Sequence, residues 1–259
     1  MSALLSVQGL SFTKSTKTGF FSKPKIFHLA SLDFELQAGE TMAIIGDNGS
    51  GKSTVAKLLV GAETPDKGSI ILNGETMQPG NIKQRCLKIR MIFQHSQGSL
   101  NPGLTLGSLL DEPLKLNTKL TVSERRRKIE DTLIQVGLMA DHAHFYRHML
   151  SEGQKQRVAL ARALILNPEV IVADEPFAAL DPSVRSQTVN LLVRLQQDLG
   201  VGFIFISHNL GIVRHISDRV LVMQNGKVIE SGKTDVIFNW PKTDYTKKLI
   251  HAYQSLNKR

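Results

Sequence analysis

Cysteine is nearly absent from this chain: Cys86 is the only one in 259 residues. No internal disulfide, four-thiolate zinc site or iron–sulfur cluster can be assembled from it. Tryptophan also occurs once, and aromatic residues make up 6% of the chain. No stretch approaches the roughly 18 uncharged apolar residues that a membrane-spanning helix requires. The opening residues, MSALLSVQGL, lack a basic segment followed by an apolar core, so a secretory signal is not expected. Internal repeats and low-complexity segments are missing as well. What remains, with 41% hydrophobic and 21% charged residues, has the composition of an ordinary globular protein. At roughly 100–200 residues per domain it makes one large domain or two small ones. A soluble, cytosolic domain that avoids cysteine chemistry is expected.

Charge is not balanced. Lysine and arginine total 32 against 23 acidic residues, a surplus of +9. A nucleic acid, an anionic membrane surface or a polyphosphate ligand would each account for it, and so would a solvated basic face without a partner. Lys14, Lys17, Lys23 and Lys25 alternate with Phe20 and Phe21 in the segment KSTKTGFFSKPK. That pattern suits nucleic-acid or lipid contact, but it also suits a long hairpin loop with a solvated face.

Partial apolar alternation predicts strands over Leu4–Phe12 and Ile26–Leu36, and a short apolar run predicts another over Met42–Gly46. A helical stretch begins at Lys52. Asn73-Gly74 and Asn225-Gly226 are tight-turn dipeptides between strand-like runs. From about Ser99 to Leu150 the pattern becomes helical, with a Thr121–Glu124 capping box opening a helix that carries Ile129, Leu133 and Val136 on one face. Val170–Ala173 and Gly202–Ile206 follow as apolar strands. Between them lies a helix with Asp181 as N-cap, Pro182 at its first position and Val189, Leu192 and Leu195 as its inner stripe. Strands alternating with helices imply an α/β fold with a mostly parallel sheet covered on both faces.

The chemistry concentrates in Gly46-Asp47-Asn48-Gly49-Ser50-Gly51-Lys52-Ser53, followed by Thr54, which fits G-x-x-x-x-G-K-[ST] residue for residue. Glycines let the backbone curl so that successive N–H groups point at phosphate oxygens, and the next helix adds the positive end of its dipole. Lys52 can reach the β- and γ-phosphates of a nucleotide, and the Ser53 hydroxyl can ligate Mg²⁺. The string lies after an apolar strand and before a helix, which a solvated glycine-serine turn does not require. EVIVADEP supplies the complement, with Asp174 and Glu175 at the carboxyl end of a strand, the edge where open α/β sheets bind ligands. Asp174 suits a Mg²⁺ ligand and Glu175 suits the group that orients and deprotonates the attacking water.

HMLSEGQKQRVALARAL resembles the signature region of ABC-transporter ATPases, with Leu150-Ser151-Glu152-Gly153-Gln154 matching LSGGQ except at the third residue. Gln94 in MIFQ matches the Q-loop, Ala179-Leu180-Asp181 the D-loop and His208 in FISHNL the switch histidine, all in the family's order. The resemblance runs from Leu4 to about Leu249. It implies a P-loop NTPase fold with a RecA-like parallel-sheet core, an antiparallel β subdomain and an inserted helical subdomain. On this sequence the core and its antiparallel elements would occupy 1–98 and 160–240, the helical and signature subdomain 99–159 and a short tail 241–259.

The resemblance also implies a mechanism. Two ATPase subunits close face to face with ATP between each P-loop and the partner's signature segment. Ser151, Gly153 and Gln154 would then touch the γ-phosphate held by the other subunit. Gln94 would sense Mg²⁺ and water, His208 would hold the γ-phosphate and Glu175, and Asp181 would link the two sites.

GSLNP after Gln94 and NWPKTDYTKKLI near the end resemble segments of the oligopeptide and dipeptide importer ATPases, although this chain stops short of the cysteine cluster that some of those carry. ATP and Mg²⁺ are the implied ligands. The implied partners are two membrane-spanning permease subunits and a second, non-identical ATPase, with the chain peripheral on the cytoplasmic face of a bacterial inner membrane. Peptides are the implied cargo, in a system tied to resistance to antimicrobial peptides, and no nucleic acid is expected. Glu152 places a carboxylate where a γ-phosphate should arrive, and like-charge repulsion there could weaken the opposite site. Lys14 stands where the family carries its adenine-stacking aromatic, leaving Phe12, Phe20, Phe21 and Phe27 as substitutes. Two other readings stay open: a half-silent nucleotide-binding module in a mixed dimer, and an ABC-type ATPase acting on nucleic acid. His142, His144 and His148 read as surface histidines, and Met77, Met91 and Met149 as packing residues.

Overall fold

The computed structural model describes residues 3–16, 25–93, 100–178 and 180–256. Ten strands are described: β1 (Leu5–Thr16), β2 (Lys25–Leu36), β3 (Thr41–Ile45), β4 (Lys67–Leu72), β5 (Glu75–Thr76), β6 (Ile89–Ile92), β7 (Val170–Asp174), β8 (Gly202–Ile206), β9 (Arg219–Gln224) and β10 (Lys227–Lys233). The helices are α1 (Lys52–Val60), α2 (Ile82–Lys88), α3 (Leu106–Asn117), α4 (Val122–Gln135), α5 (Glu152–Leu164), α6 (Pro182–Leu199), α7 (Leu210–Ile216), α8 (Thr234–Asn239) and α9 (Asp244–Leu256).

The strands form two sheets. One is antiparallel, in the order β2-β1-β4-β5. The other runs β10-β9-β3-β8-β7-β6, parallel except for β10, which pairs antiparallel with β9. Side chains alternate across the parallel sheet and divide the core into two layers. Ala43 and Ile45, Ile171 and Ala173, Phe203 and Phe205, and Val220 and Val222 face one side. They pack under α5 to α9 in one continuous apolar cluster that extends into α3 and α4 through Leu106, Leu110, Leu114 and Leu133. Met42 and Ile44, Val170 and Val172, Ile204 and Ile206, and Leu221 and Met223 face the other side, against α1 and the antiparallel sheet. Strands buried on both faces are apolar at every position, which is why β3, β7 and β8 read as plain runs.

The capping box at Thr121 forms as the sequence predicts, with the Thr121 N–H donating to Glu124 Oε2 at 2.7 Å and the Glu124 N–H to Thr121 Oγ1 at 3.4 Å. Asp181 caps α6, its Oδ1 accepting from the Ser183 and Val184 N–H groups at 3.0 Å each. By contrast, α2 and the edge strand β6 have no counterpart among the expected elements. α2 has seven residues and no apolar stripe; it is fixed by tertiary bonds, as buried Arg85 donates to the Leu58 carbonyl at 3.1 Å and the Met77 carbonyl at 2.9 Å.

The two sheets and the P-loop meet at the Asn225-Gly226 turn. Both residues have positive φ, 48° and 75°, as a two-residue hairpin turn of this hand requires. The Gly226 N–H donates to the Ser50 carbonyl at 2.9 Å, and its own carbonyl accepts from the Ala30 N–H at 2.8 Å. A Cβ at Gly226 would run into the His28 carbonyl. Gly226→Ala should therefore destabilise the protein by about 2 kcal/mol or more. The urea-unfolding midpoint checks this, and an unchanged midpoint would mean that the joint does not bear on stability.

Candidate active site

β8 lies between β3 and β7, so Gly46, Glu175 and the Ser207-His208 pair follow the carboxyl ends of three adjacent strands. That places the loop, the acidic pair and the histidine at one sheet edge. α1 starts at Lys52 with no acidic residue in its first turn, so its positive end is uncompensated. A cavity of about 350 Å³ opens there, lined by Phe27, Asn48, Gly49, Gly51, Lys52, Ser53, Thr54, Asp174, Glu175, Ile206 and His208.

Lys52 is buried and folds back over the loop, its Nζ donating to the Gly46 carbonyl at 2.7 Å, the Asp47 carbonyl at 2.8 Å and Ser50 Oγ at 3.5 Å. Burial lowers its pKa from the ordinary lysine value, while Glu175, Asp174 and Asp47 pull it back up. Asp174 shows the mirror image: burial raises its pKa, and a hydrogen bond from Ser53 and the charges of Lys52 and Lys57 oppose that rise. Glu175 sits at φ 47°, uncommon for a residue with a side chain, and its N–H donates to the Ile206 carbonyl at 2.9 Å. Its Oε1 accepts from the His208 N–H at 2.9 Å and pairs with His208 Nδ1 at 2.8 Å, while Ser207 Oγ donates to Oε2 at 3.5 Å. The carboxylate is mostly buried and the imidazole two-thirds exposed, at 15% and 67%. Such a carboxylate at the mouth of an amide-lined pocket can orient and deprotonate a water molecule.

Of the candidate aromatics, Phe12 is buried in the core. Phe20 and Phe21 fall outside the described residues. Phe27 lines the cavity, across the strand pair from Lys14, which instead forms an ion pair with Glu63 at 2.6 Å.

The signature segment stands apart from this cavity. Ser151, Gly153, Gln154 and Asp181 do not line it, and Gln94 lies outside the described residues. Ser151 caps α5: its Oγ accepts from the Gln154 N–H at 3.3 Å, and Gln154 Oε1 accepts from the Ser151 N–H at 2.9 Å. Glu152 is exposed and bridged to Lys155 at 2.5 Å. A Cβ on Gly153 would press into Val184, so glycine there lets the starts of α5 and α6 approach closely.

Two expectations need correction. His144 and His148 are exposed, but His142 is buried, its ring 4.7 Å from that of Phe145. Its Nδ1 accepts from the Met139 N–H at 2.9 Å, and its Nε2 lies 3.4 Å from Gln154 Nε2. The ring thus closes the short turn at Ala140–His144 and lies beside the Gln154 amide of the α5 capping box. The histidines and Asp141 around His142 in sequence hid this, since the ring is closed in only when the turn folds Phe145 over it and α5 brings Gln154 alongside. Met149 is also exposed rather than packed, with its sulfur accepting from the Tyr146 N–H at 3.4 Å. Met77 is buried and Met91 half-buried. Sequence also gave no sign of the hydroxyl of Tyr245, which accepts from the Asp47 N–H at 2.8 Å across 198 residues of chain.

The ABC transporter family profile matches residues 29–178. The protein named "Putrescine export system ATP-binding protein SapF" of Escherichia coli K12 is 46% identical over 250 residues, which are 96% of this chain and 93% of that one. The "Peptide transport system ATP-binding protein SapF" of Shigella flexneri matches with the same identity and coverage. The "Dipeptide transport ATP-binding protein DppF" of Haemophilus influenzae is 44% identical over 98% of this chain and 79% of its own. Among solved structures, CbiO1 from Clostridium perfringens, part of the ABC transporter complex CbiONQ, superposes with a TM-score of 0.80 at 29% identity, covering 100% of this chain and 96% of that one. The ATP-binding cassette MJ0796, in a dimeric post-hydrolysis state bound to ADP and Pi, gives 0.74 at 28% identity, covering 89% and 98%.

The buried ring of His142 leads to a stability test. His142→Ala opens a cavity and leaves the Met139 N–H without its acceptor, and should cost roughly 2–3 kcal/mol, whereas His142→Phe keeps the packing and loses only that bond, and should cost about 1. Chemical denaturation of both variants checks the order; two midpoints equal to the parent's would place the ring in solvent.

Proposed function

The chain belongs to the ABC transporter family, and from that premise we propose that it is the ATP-hydrolysing subunit that drives peptide transport through a membrane permease. The observation that carries this reading is the Glu175 carboxylate, held by the His208 N–H and Nδ1 at the mouth of the P-loop cavity. The backbone N–H groups of 46–54 and the start of α1 cradle the phosphates. Lys52 exchanges the Gly46 and Asp47 carbonyls for the β- and γ-phosphates. Glu175 takes a proton from water as the new oxygen–phosphorus bond forms and the bridging bond to the β-phosphate breaks, releasing ADP and phosphate. His208 keeps Glu175 aimed and holds the γ-phosphate.

The oxygen donors Ser53 and Asp174, hydrogen-bonded side by side on the cavity wall, fit a hard divalent cation. They would hold Mg²⁺ together with Gln94, and the ion would neutralise phosphate charge there. Phe27, the described aromatic on this wall, stacks on the adenine.

Ser151, Gly153 and Gln154 complete the site of a second subunit, and Asp181 joins the two. Their separation from this chain's own cavity and the likeness to a dimeric cassette support that arrangement. The Lys155 bridge offsets the charge of Glu152, which favours a working composite site over a half-silent one.

A groove of about 730 Å³ between α2, β6, α3 and α5 exposes Ile82, Phe93, Leu104 and Leu116. An exposed apolar patch of this kind suits a permease segment. Among the described residues no helix is long and apolar enough to cross a membrane, which fits a peripheral subunit on the cytoplasmic face of the inner membrane carried by two permeases. The net charge of +9 then suits nucleotide and the anionic inner leaflet rather than nucleic acid.

Cargo is set by the permease. Relatives at the same 46% identity are named for peptide transport and for putrescine export, which favours polyamine export as the second reading. Vesicles containing the assembled transporter distinguish the two: ATP-driven entry of labelled peptide supports the first and ATP-driven movement of labelled putrescine the second.

Glu175→Gln should bind ATP, hydrolyse it at least a hundred-fold more slowly and accumulate as a dimer on size exclusion. Hydrolysis at the parent rate would remove Glu175 as the base. Lys52→Ala should lose saturable ATP binding. Phe27→Ala should weaken ATP about five- to hundred-fold while leaving inorganic triphosphate unaffected, because stacking contributes roughly 1–3 kcal/mol per base; equal losses for both ligands would exclude a role in base stacking.

A further inference from the structure

The C-terminal helix reaches the P-loop at Asp47, beside the nucleotide cavity. The approach to α9 is pinned to β10 by Glu230, whose carboxylate accepts from the Lys242 N–H at 2.8 Å and from the Thr243 N–H and hydroxyl at 3.1 Å each. Thr243 in turn accepts from the Thr246 N–H at 3.2 Å, and Thr246 and Ile250 are buried. The helix is thus held at its first turn and along its inner face, and Tyr245 leaves it at a fixed place. Its hydroxyl accepts from the Asp47 N–H at 2.8 Å and donates to the Asp47 carboxylate. One turn further, Leu249 lines a cavity of about 300 Å³ together with Gly46, Asp47, Asn48 and His208.

Asp47 is therefore gripped from both sides. Outside is the Tyr245 hydroxyl; inside, the Asp47 carbonyl accepts from Lys52 Nζ at 2.8 Å. When Lys52 turns to a polyphosphate, the inner bond is lost, and Asp47 is left with the turn bond from the Ser50 N–H to its carbonyl at 3.1 Å and the clamp that ties it to the C-terminal helix.

We propose that Tyr245 is a positioning residue for the P-loop, its hydroxyl clamping Asp47 so that the loop keeps its phosphate-accepting shape once Lys52 has let go. The inference rests on the nucleotide site described above and makes the C-terminal helix a determinant of ATP affinity. Burial, and hydrogen bonding to Asp47, push the Tyr245 pKa up to about 12, so the hydroxyl keeps its proton and its donor role at every physiological pH.

Tyr245→Phe removes the hydroxyl and leaves the ring. It should raise the KM for ATP about three- to ten-fold, the loss of one or two net hydrogen bonds, with kcat within about two-fold of the parent. Ile250→Val, which trims the buried face of the same helix, is the control: its melting temperature should fall while its KM stays at the parent value. A KM for Tyr245→Phe within about two-fold of the parent overturns the clamp. An equal rise in KM for Ile250→Val also overturns it, since helix packing and not the hydroxyl would then govern affinity. A parent protein with no saturable ATP binding in the same titration instead overturns the nucleotide site itself.

Discussion

A buried ammonium organises the catalytic end of this molecule. Taking a lysine side chain out of water costs several kcal/mol unless oxygen atoms replace the lost hydration. Around Lys52 those atoms are the Gly46 and Asp47 carbonyls, with Asp174 and Glu175 supplying charge. The carboxylates in turn depend on it: burial alone would push Asp174 toward its neutral form, and Ser53 and the two lysines oppose that. The parallel sheet exists in the order that satisfies this requirement. With β8 between β3 and β7, lysine loop, acidic pair and histidine loop come to one edge with no segment of their own to bridge them. A polyphosphate entering the cavity meets donors that are already placed and releases Lys52 from carbonyls rather than from bulk water, so little reorganisation accompanies binding.

What the sequence showed and what it hid separate along physical lines. The P-loop, the Asp174–Glu175 pair and the cap at Asp181 were legible because each depends on neighbours within a few positions: a strand end, a turn, a helix start. His208 was found only through the likeness of FISHNL to a family motif. β8 was read at its observed bounds, since an apolar run buried on both faces needs no partner to be recognised. The contacts that escaped are those between distant segments. Tyr245 and Asp47 are 198 positions apart, and no local pattern announces their bond. His142 sits among polar residues on a short turn and looks solvated until Gln154 and Phe145 close over it. α2 has too few residues and too little apolar surface to declare itself, and is held by one arginine reaching two carbonyls.

The two ends of the proposed composite site are built on opposite electrostatic plans. At the P-loop, one ammonium and two carboxylates act on one another within a partly closed cavity. At the signature, the start of α5 is capped by its own Ser151 and Gln154, and Glu152 and Lys155, three residues apart, offset one another. A site that waits in solvent for a partner cannot hold an uncompensated charge as a buried one can, because water and salt screen it. It can, however, hold geometry, and the capping box does that.

The substitution at the signature's third position follows from the same reasoning. Glycine would leave the positive end of α5 bare, whereas Glu152 sits at the first helical position, where a carboxylate is favoured by the helix dipole. The carboxylate thereby stabilises the free subunit and competes for the end of the helix that a phosphate would otherwise occupy. Lys155 limits that competition, because its ammonium, one turn along α5, shares the Glu152 carboxylate with the helix end.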